Sequence, residues 1–182
     1  MPASAGIFVS PPRPMMEQLW SPWRSAYISS ASDQSSEGCF LCKAAALDAE
    51  QRLVLVVARF EFTIVLLNRY PYNAGHLLIA PKEHTGNLGA LPTAQAHELI
   101  DVTQLALRVL QAEMHPHGVN LGGNLGAAAG AGMPDHLHIH LVPRWNGDTN
   151  FMPVIGEVKV VSEHIDEIWD RFSKAFCDST SR

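Results

Sequence analysis

Two short apolar runs in the first half of the chain, at 53–58 and 61–68, are dense in Val, Ile, Leu and Phe. This composition predicts a pair of strands joined by a hairpin connection. The segment RYPYNAG (69–75) predicts a turn, because proline, asparagine and glycine favour reverse turns. A third apolar run, HLLIAP (76–81), predicts another strand that Pro81 ends.

Apolar residues recur every three or four positions over residues 93–113, which predicts a long helix with Thr93 as its N-cap. Pro116 and Gly118 end it. Its buried stripe is predicted to be Leu99, Val102, Thr103, Ala106, Val109 and Leu110. A last helix is predicted over about 162–176. Its apolar face comprises Ile165, Ile168, Trp169, Phe172 and Phe176.

Between these helices, GVNLGGNLG (118–126) predicts a strand that leads into a glycine-rich loop, LGAAAGAGMP (125–134). HLHIHLVPR (136–144) alternates strictly between apolar and polar residues, as a half-buried strand does. Strands therefore come in pairs, then a helix, then strands again, without regular βαβ alternation. This order predicts an α+β domain with a mostly antiparallel sheet.

Composition narrows the class of protein. With 182 residues, 47% apolar and 17% charged, the chain is long enough for one globular domain with a core of its own. The net charge of −5 provides no basic field for a nucleic acid, although backbone amides can still hold a small phosphate. Apolar runs are too short for a membrane span, and no secretory signal is recognisable, so we expect a cytoplasmic protein with neither a nucleic-acid nor a membrane partner.

The first residues differ from the rest. Residues 1–18 are rich in Pro and Ser and are predicted to be a flexible tail, within which Met15 and Met16 are alternative natural starts. LWSPWRSAYI (19–28) is too aromatic to lie in water, so we expect it to dock on the domain or on a second subunit. Residues 19–182 are predicted to form a single domain.

Three histidines, His136, His138 and His140, alternate with aliphatic residues. On a strand they would share one face at intervals of about 6.6 Å, while the aliphatic residues point into the core. Near neutral pH one imidazole can be a nucleophile while a neighbour donates a proton. With the amides of the preceding glycine-rich loop, this pattern predicts a phosphoryl or nucleotidyl transfer site.

Cys39 and Cys42 form a C-x-x-C pair, and the total of three cysteines, with Cys177, argues against a disulfide framework. In a reducing cytosol such a pair indicates a metal site, a redox dithiol or two buried thiols. The pair alone does not choose among them.

The histidine segment HLHIHLV (136–142) resembles the motif of the histidine triad (HIT) family. LNRYPYNAGHLLIAPKEH (67–84) is similar to the family's upstream strand-turn-strand. GAGMPDHLHIHLVPRWNGDTNFMPV (130–154) resembles the branch of diadenosine tetraphosphate phosphorylases and dinucleoside polyphosphate hydrolases. The resemblance covers about residues 19–172 and implies the HIT-like sheet, extended across a homodimer, with a small-molecule nucleotide as substrate.

The resemblance also implies a nucleotidyl-histidine intermediate at the α-phosphate. His138 matches the nucleophile, and His140 matches the group that hydrogen-bonds the phosphate or acts as leaving-group acid. Asn68 matches a ribose contact, and His76 matches a histidine that supports the triad. His136, as the first triad residue, completes the predicted catalytic set.

For the nucleotide, the resemblance implies phosphate contacts from Asn124 and from the loop amides near Gly130 and Gly132. Phe40 is either a core residue or part of the base pocket. Some relatives carry Ser, Thr or Gln in the loop, whereas here backbone amides alone must bind the phosphate. Arg144 and Trp145 are further candidates to line the site.

For the C-x-x-C pair, the resemblance implies structural zinc held by Cys39, Cys42, His84 and His136, with no organic cofactor. A Cys₂His₂ set suits a closed tetrahedral site. His136 would then fix the strand that carries His138 rather than transfer protons.

Two classes of function therefore remain open. The first is a nucleotidyl-transferring hydrolase or phosphorylase that acts on dinucleoside polyphosphates or, alternatively, on nucleoside phosphoramidates. The second is a zinc-stabilised nucleotide-binding module with weak turnover. The intact His138 and His140 favour the enzyme.

Overall fold

Five antiparallel strands form one sheet in the computed structural model, which describes residues 38–48, 51–148 and 163–180. In chain order the elements are α1 (Phe40–Ala46), β1 (Val56–Arg59), β2 (Thr63–Leu67), β3 (Leu77–Pro81), α2 (Thr93–Met114), β4 (Gly118–Gly122), β5 (Ile139–Arg144) and α3 (Ile165–Thr180). Short 3-10 turns lie at Leu88–Ala90 and Ala127–Ala129. The strand order is β1-β2-β3-β5-β4, which leaves β4 at one edge. The predicted tail (1–18) and aromatic segment (19–28) lie outside the described residues.

Strands β2 and β3 are buried along their whole length because both faces of the sheet are covered. On one face, Val65 and Ile79 join the large core beneath α2 and α3. On the other face, Ile64 and Leu78 pack in a smaller cluster with Leu41 of α1. Burial on both faces explains why these strands read as continuous apolar runs rather than alternating ones, and the α+β prediction is confirmed.

Helix α2 begins at Thr93 and ends at Met114, close to the predicted bounds. The predicted stripe is buried, with Met114 added at its end. The N-cap is Pro92 rather than Thr93, and His115 ends the helix in a left-handed conformation (φ 45°). Helix α3 buries Ile168, Phe172 and Phe176, as predicted. No helix in the described ranges is long and apolar enough to cross a membrane.

Strands β1 and β5 each begin three residues later than predicted. Residues 51–55 form a turn, in which Leu55 has a positive φ of 59° and Leu53 is 65% exposed, so β1 starts at Val56. Strand β5 starts at Ile139 rather than His136. The amide of Leu137 donates to the Thr85 carbonyl (2.7 Å), so the first triad residues pair with the loop after β3.

Candidate functional site

His138 is buried just before β5, and its Nδ1 lies 2.8 Å from the His136 carbonyl oxygen. Because a carbonyl only accepts, Nδ1 carries the proton and Nε2 carries the lone pair. Burial lowers the pKa of His138 and outweighs the opposing effect of that hydrogen bond. The ring therefore stays neutral near neutral pH, as a nucleophilic imidazole must.

The next triad residue, His140, is oriented by a chain of hydrogen bonds. The Tyr72 backbone N–H donates to His76 Nδ1 (3.2 Å). The proton of neutral His76 is thus on Nε2, which donates to His140 Nδ1 (2.9 Å). Neutral His140 then carries its proton on Nε2, so it offers an N–H donor. Its ring centroid lies 4.9 Å from that of His138.

Asn68, the predicted ribose contact, lies beside this series of hydrogen bonds. Its Nδ2 is 3.3 Å from His76 Nδ1, and its Oδ1 accepts from the Tyr70 amide (3.0 Å). These two contacts fix which end of the amide faces His76. The structure thus places Asn68 and His76 with His140 in one hydrogen-bonded group.

The glycine-rich loop is closed by Asn124, whose Nδ2 donates to the Gly130 carbonyl (3.2 Å). Gly126 and Gly130 both adopt positive φ values, of 82° and 83°, that favour glycine. A Cβ on Gly123 would lie only 2.9 Å from the His138 carbonyl oxygen. This close approach brings the segment before the loop against the backbone of His138.

A second group of side chains gathers Cys39, Cys42, His84 and His136, whose ligand atoms all lie within 4.8 Å of one another. The Cys39 Sγ and Cys42 Sγ atoms are 3.2 Å and 3.5 Å from His136 Nδ1. The His84 Nδ1 lies 3.2 Å from Cys42 Sγ and 3.3 Å from His136 Nδ1. The four residues predicted as ligands therefore converge from α1, from the loop after β3 and from the triad.

The chemistry of this cluster suits a cation. His136 Nε2 donates to the Pro81 carbonyl (2.8 Å), so its Nδ1 turns a lone pair toward the cluster. Burial and the adjacent Cys39 raise the pKa of the Cys42 thiol to about 11, so a thiolate needs a cation beside it. A donor set of two sulfurs and two nitrogens matches the four-coordinate sites that zinc prefers.

A groove of about 370 Å³ lies beside His140, and no pattern in the sequence predicts it. Its lining comes from the turn before β3 and from β4 and β5, and comprises Tyr72, Asn73, Asn120, Leu121, Gly122, Asn124, His140, Val142 and Arg144. Tyr72 and Asn73 belong to RYPYNAG, whose composition predicts only a turn. Of the two candidates after the triad, Arg144 lines the groove, whereas Trp145 packs partly buried against the main core.

A polar network holds one end of this groove. Arg144 donates from Nε and Nη2 to Asp148 (2.6 and 2.9 Å) and from Nη1 to Asn120 Oδ1 (2.9 Å). Asp148 also accepts from Asn73 Nδ2 (2.8 Å) and from the Trp145 amide (3.2 Å). The hydrogen bonds from Arg144 are the main reason why the pKa of Asp148 lies well below its usual range.

The remaining candidates divide simply. Phe40 is 39% exposed, so it is not a core residue. Gly132 lies in the loop before the triad. Four histidines belong neither to the triad with His76 nor to the Cys/His cluster, and all four are exposed: His97, His115, His117 and His164. Cys177 is also exposed and lies apart from the Cys/His cluster.

Comparison with known proteins finds similarity over most of the chain. The HIT domain family model matches residues 51–147. The AP-4-A phosphorylase of Mycobacterium tuberculosis is 38% identical over 155 residues, which is 83% of this chain and 80% of the relative. The bis(5'-adenosyl)-triphosphatase of Saccharomyces cerevisiae is 31% identical over 91 residues, or 50% of this chain and 44% of the relative.

Among solved structures, a zinc-bound histidine triad family protein from Mycobacterium smegmatis is similar with a TM-score of 0.64 and 26% identity. The similarity covers 81% of this chain and 99% of that protein.

Proposed function

The chain belongs to the HIT family and is a nucleotide-processing enzyme, and we propose that it cleaves dinucleoside polyphosphates such as diadenosine tetraphosphate. The carrying observation is the buried His138, whose Nδ1–H is held by a backbone carbonyl so that Nε2 bears the lone pair. The similarity to an AP-4-A phosphorylase over 83% of the chain supports this substrate class.

In the first step, His138 Nε2 attacks the α-phosphorus, and the bond from that phosphorus to the bridging oxygen breaks. The electron pair leaves with that oxygen, and a nucleoside monophosphate remains bonded to His138. His140 Nε2–H donates a hydrogen bond to the departing oxygen, because His76 keeps the other nitrogen of His140 as an acceptor. The Gly130 amide already donates to the Ala127 carbonyl (2.9 Å). The amide of Gly132 would therefore be the one that stabilises the charge on the other phosphoryl oxygens.

In the second step, an oxygen of inorganic phosphate attacks the same phosphorus and releases His138, which yields a nucleoside diphosphate. Water in place of phosphate would yield the monophosphate instead. We assign phosphate as the acceptor on the similarity to the phosphorylase. In this proposal Asn68 contacts the ribose of the retained nucleotide and Phe40 contacts its base.

The Cys/His cluster is proposed to hold one zinc ion through Cys39, Cys42, His84 and His136. Two observations support this: the ligand atoms converge, and His136 Nδ1 is unprotonated because Nε2 donates to the Pro81 carbonyl. The similarity to a zinc-bound relative supports it as well. Such a closed set of four ligands would supply structural stability rather than a reactive position. Through His136 it would hold the segment that carries His138.

A homodimer is proposed to form through β4. This strand lies at the edge of the sheet, and most of its residues are exposed, with Leu121 at 57%. An exposed edge strand is a ready site for pairing with a second strand. Antiparallel pairing of two β4 strands would extend the sheet across a two-fold axis.

Product analysis tests the proposed reaction. The full chain is incubated with diadenosine tetraphosphate, with and without inorganic phosphate, and the products are identified by mass. We expect ADP plus ATP, formed only when phosphate is present. AMP plus ATP at the same rate in both samples would show hydrolysis instead. No cleavage by zinc-replete protein would refute the enzyme and favour a binding module.

A further inference from the structure

The groove beside His140 has the size of a small-molecule site, since such sites occupy about 300–1,000 Å³ and this one occupies about 370 Å³. It is continuous with the reactive histidines, because His140 forms one of its walls. The retained nucleotide, as proposed above, occupies a different place. It would contact Asn68, which follows β2 and does not line the groove, whereas the groove is lined by β4, β5 and the turn before β3.

The direction of the reaction connects the groove with the leaving group. In phosphoryl transfer the attacking atom and the departing oxygen lie roughly in line, on opposite sides of the phosphorus. Along β5 the groove is lined by His140, Val142 and Arg144. It therefore begins at the residue whose ring contacts His138 and extends along β5 away from it. A group that departs from the phosphorus away from His138, past the His140 donor, therefore enters this groove.

The lining indicates which part of the leaving group the groove binds. Arg144 is its cationic side chain, but its three guanidinium nitrogens already donate to Asp148 and Asn120. Because the Arg144–Asp148 pair has no net charge, it is poorly suited to a phosphate chain. Apart from His140 and Gly122, the rest of the lining is uncharged: the Tyr72 ring, three asparagine amides and two apolar side chains, namely Asn73, Asn120, Asn124, Leu121 and Val142. These suit an uncharged heterocycle with hydrogen-bonding edges.

We propose that this groove binds the nucleoside of the leaving half of the substrate, and that Tyr72 is the residue on which its base stacks. The Tyr72 ring is 46% exposed and lies nearly parallel to His140 (16°, centroids 6.0 Å apart), so its plane is fixed beside the reacting group. The inference rests on the proposed function, because the proposed first step determines the position of the departing oxygen. It makes the enzyme selective for substrates with a nucleoside at both ends of the phosphate chain.

The test measures binding, so it does not depend on turnover. In the zinc-replete His138→Ala chain, calorimetry compares diadenosine tetraphosphate with adenosine 5'-tetraphosphate, which has the same chain length but lacks the second nucleoside. Stacking of one base predicts a tighter dissociation constant for the dinucleotide by about tenfold. Adding Tyr72→Leu should bring the two constants to within about twofold, because the Tyr72 backbone N–H that serves His76 is retained.

Tyr70→Leu in the same background is the matched control. Tyr70 is 69% exposed in the same turn and does not line the groove, so the preference for the dinucleotide should persist. Equal affinities without Tyr72→Leu, or a preference that survives it, would overturn the proposal. Failure of the proposed function is a separate result, namely no cleavage of diadenosine tetraphosphate by the unsubstituted chain.

Discussion

His76 Nε2 lies 2.9 Å from His140 Nδ1, and this contact joins a fully buried side chain at the start of β3 to a half-buried one in β5. The Tyr72 amide on the far side of the His76 ring determines which of the two histidines donates. In the proposed mechanism His76 therefore acts on the reaction through His140, as a positioning residue.

Replacing His76 by Phe should preserve the volume of the ring while removing the hydrogen bond to His140. We expect kcat to fall by about a hundredfold with a small change in KM, because donation to the departing oxygen matters mainly in the transition state. Steady-state kinetics with diadenosine tetraphosphate measures both constants. His97→Phe, at an exposed site on α2, should leave them unchanged. Equal losses in both variants would contradict the role of His76.

His138→Ala should abolish turnover while leaving nucleotide binding largely intact, because the contacts from Asn68 and the loop remain. Loss of a covalent nucleophile costs about three or more powers of ten in kcat. Rapid quench of the unsubstituted enzyme with substrate labelled at the α-phosphate should trap an acid-labile adduct, which His138→Ala should lack. Near-normal kcat in the variant would exclude His138 as the nucleophile.

Protein purified without added metal, under reducing conditions, should contain about one zinc ion per chain by elemental analysis. Cys42→Ser should lower both the zinc content and the Tm, the latter by about 5–10 °C, because one of four ligands is weakened. Cys177→Ser is the matched control, since Cys177 is exposed outside the cluster. Zinc-free protein that is as stable as the control would refute the site.

Asp148→Asn should lower the free energy of unfolding at pH 7 by about 1–2 kcal/mol, because the carboxylate accepts several hydrogen bonds and is only 11% exposed. Because folding lowers the pKa of Asp148, its contribution is complete above the unfolded pKa of about 4 and is lost as pH falls below that. Urea unfolding measured from pH 7 to pH 3 should show that the difference in free energy of unfolding between the two proteins becomes smaller as the pH falls. Asp178→Asn, in an exposed ion pair with Lys174, should show little gap at any pH.

Sedimentation at tens of micromolar should show a dimer, because an obligate interface stays assembled at such concentrations. Leu121→Lys should weaken it, since a charge on an exposed edge strand opposes pairing with a second copy. Leu88→Lys, at an exposed position in the 3-10 turn, should sediment as the unsubstituted chain does. A monomer for the unsubstituted chain would refute the dimer.

The sequence predicted the elements whose signal is local. The helical stripe on α2 and the apolar runs of β2 and β3 follow from burial on particular faces. The predicted start of β5 is wrong because the segment before Ile139 pairs with a part of the chain distant in sequence, the loop at Thr85. Gly86 packs so closely there that an added Cβ would collide with the Pro134 carbonyl.

The groove was unpredictable for the same reason. Asn73 and Asp148 are 75 positions apart and meet through a single polar contact, which leaves no periodic pattern in the chain. Tyr72 carries no signal of its own, because a tyrosine in a turn is usual. The Cys/His cluster was accessible only through resemblance to a family, since neither the C-x-x-C pair nor His84 by itself indicates a common site.

The three histidines have two different surroundings in this fold. His138 and His140 contact each other, whereas His136 belongs to the Cys/His cluster. The His136 ring faces the two cysteines, while its backbone carbonyl holds His138 Nδ1. One residue thus belongs to the Cys/His cluster and also orients the His138 ring. A substitution at His136 is therefore a change of architecture, and an inactive variant there would say nothing about proton transfer.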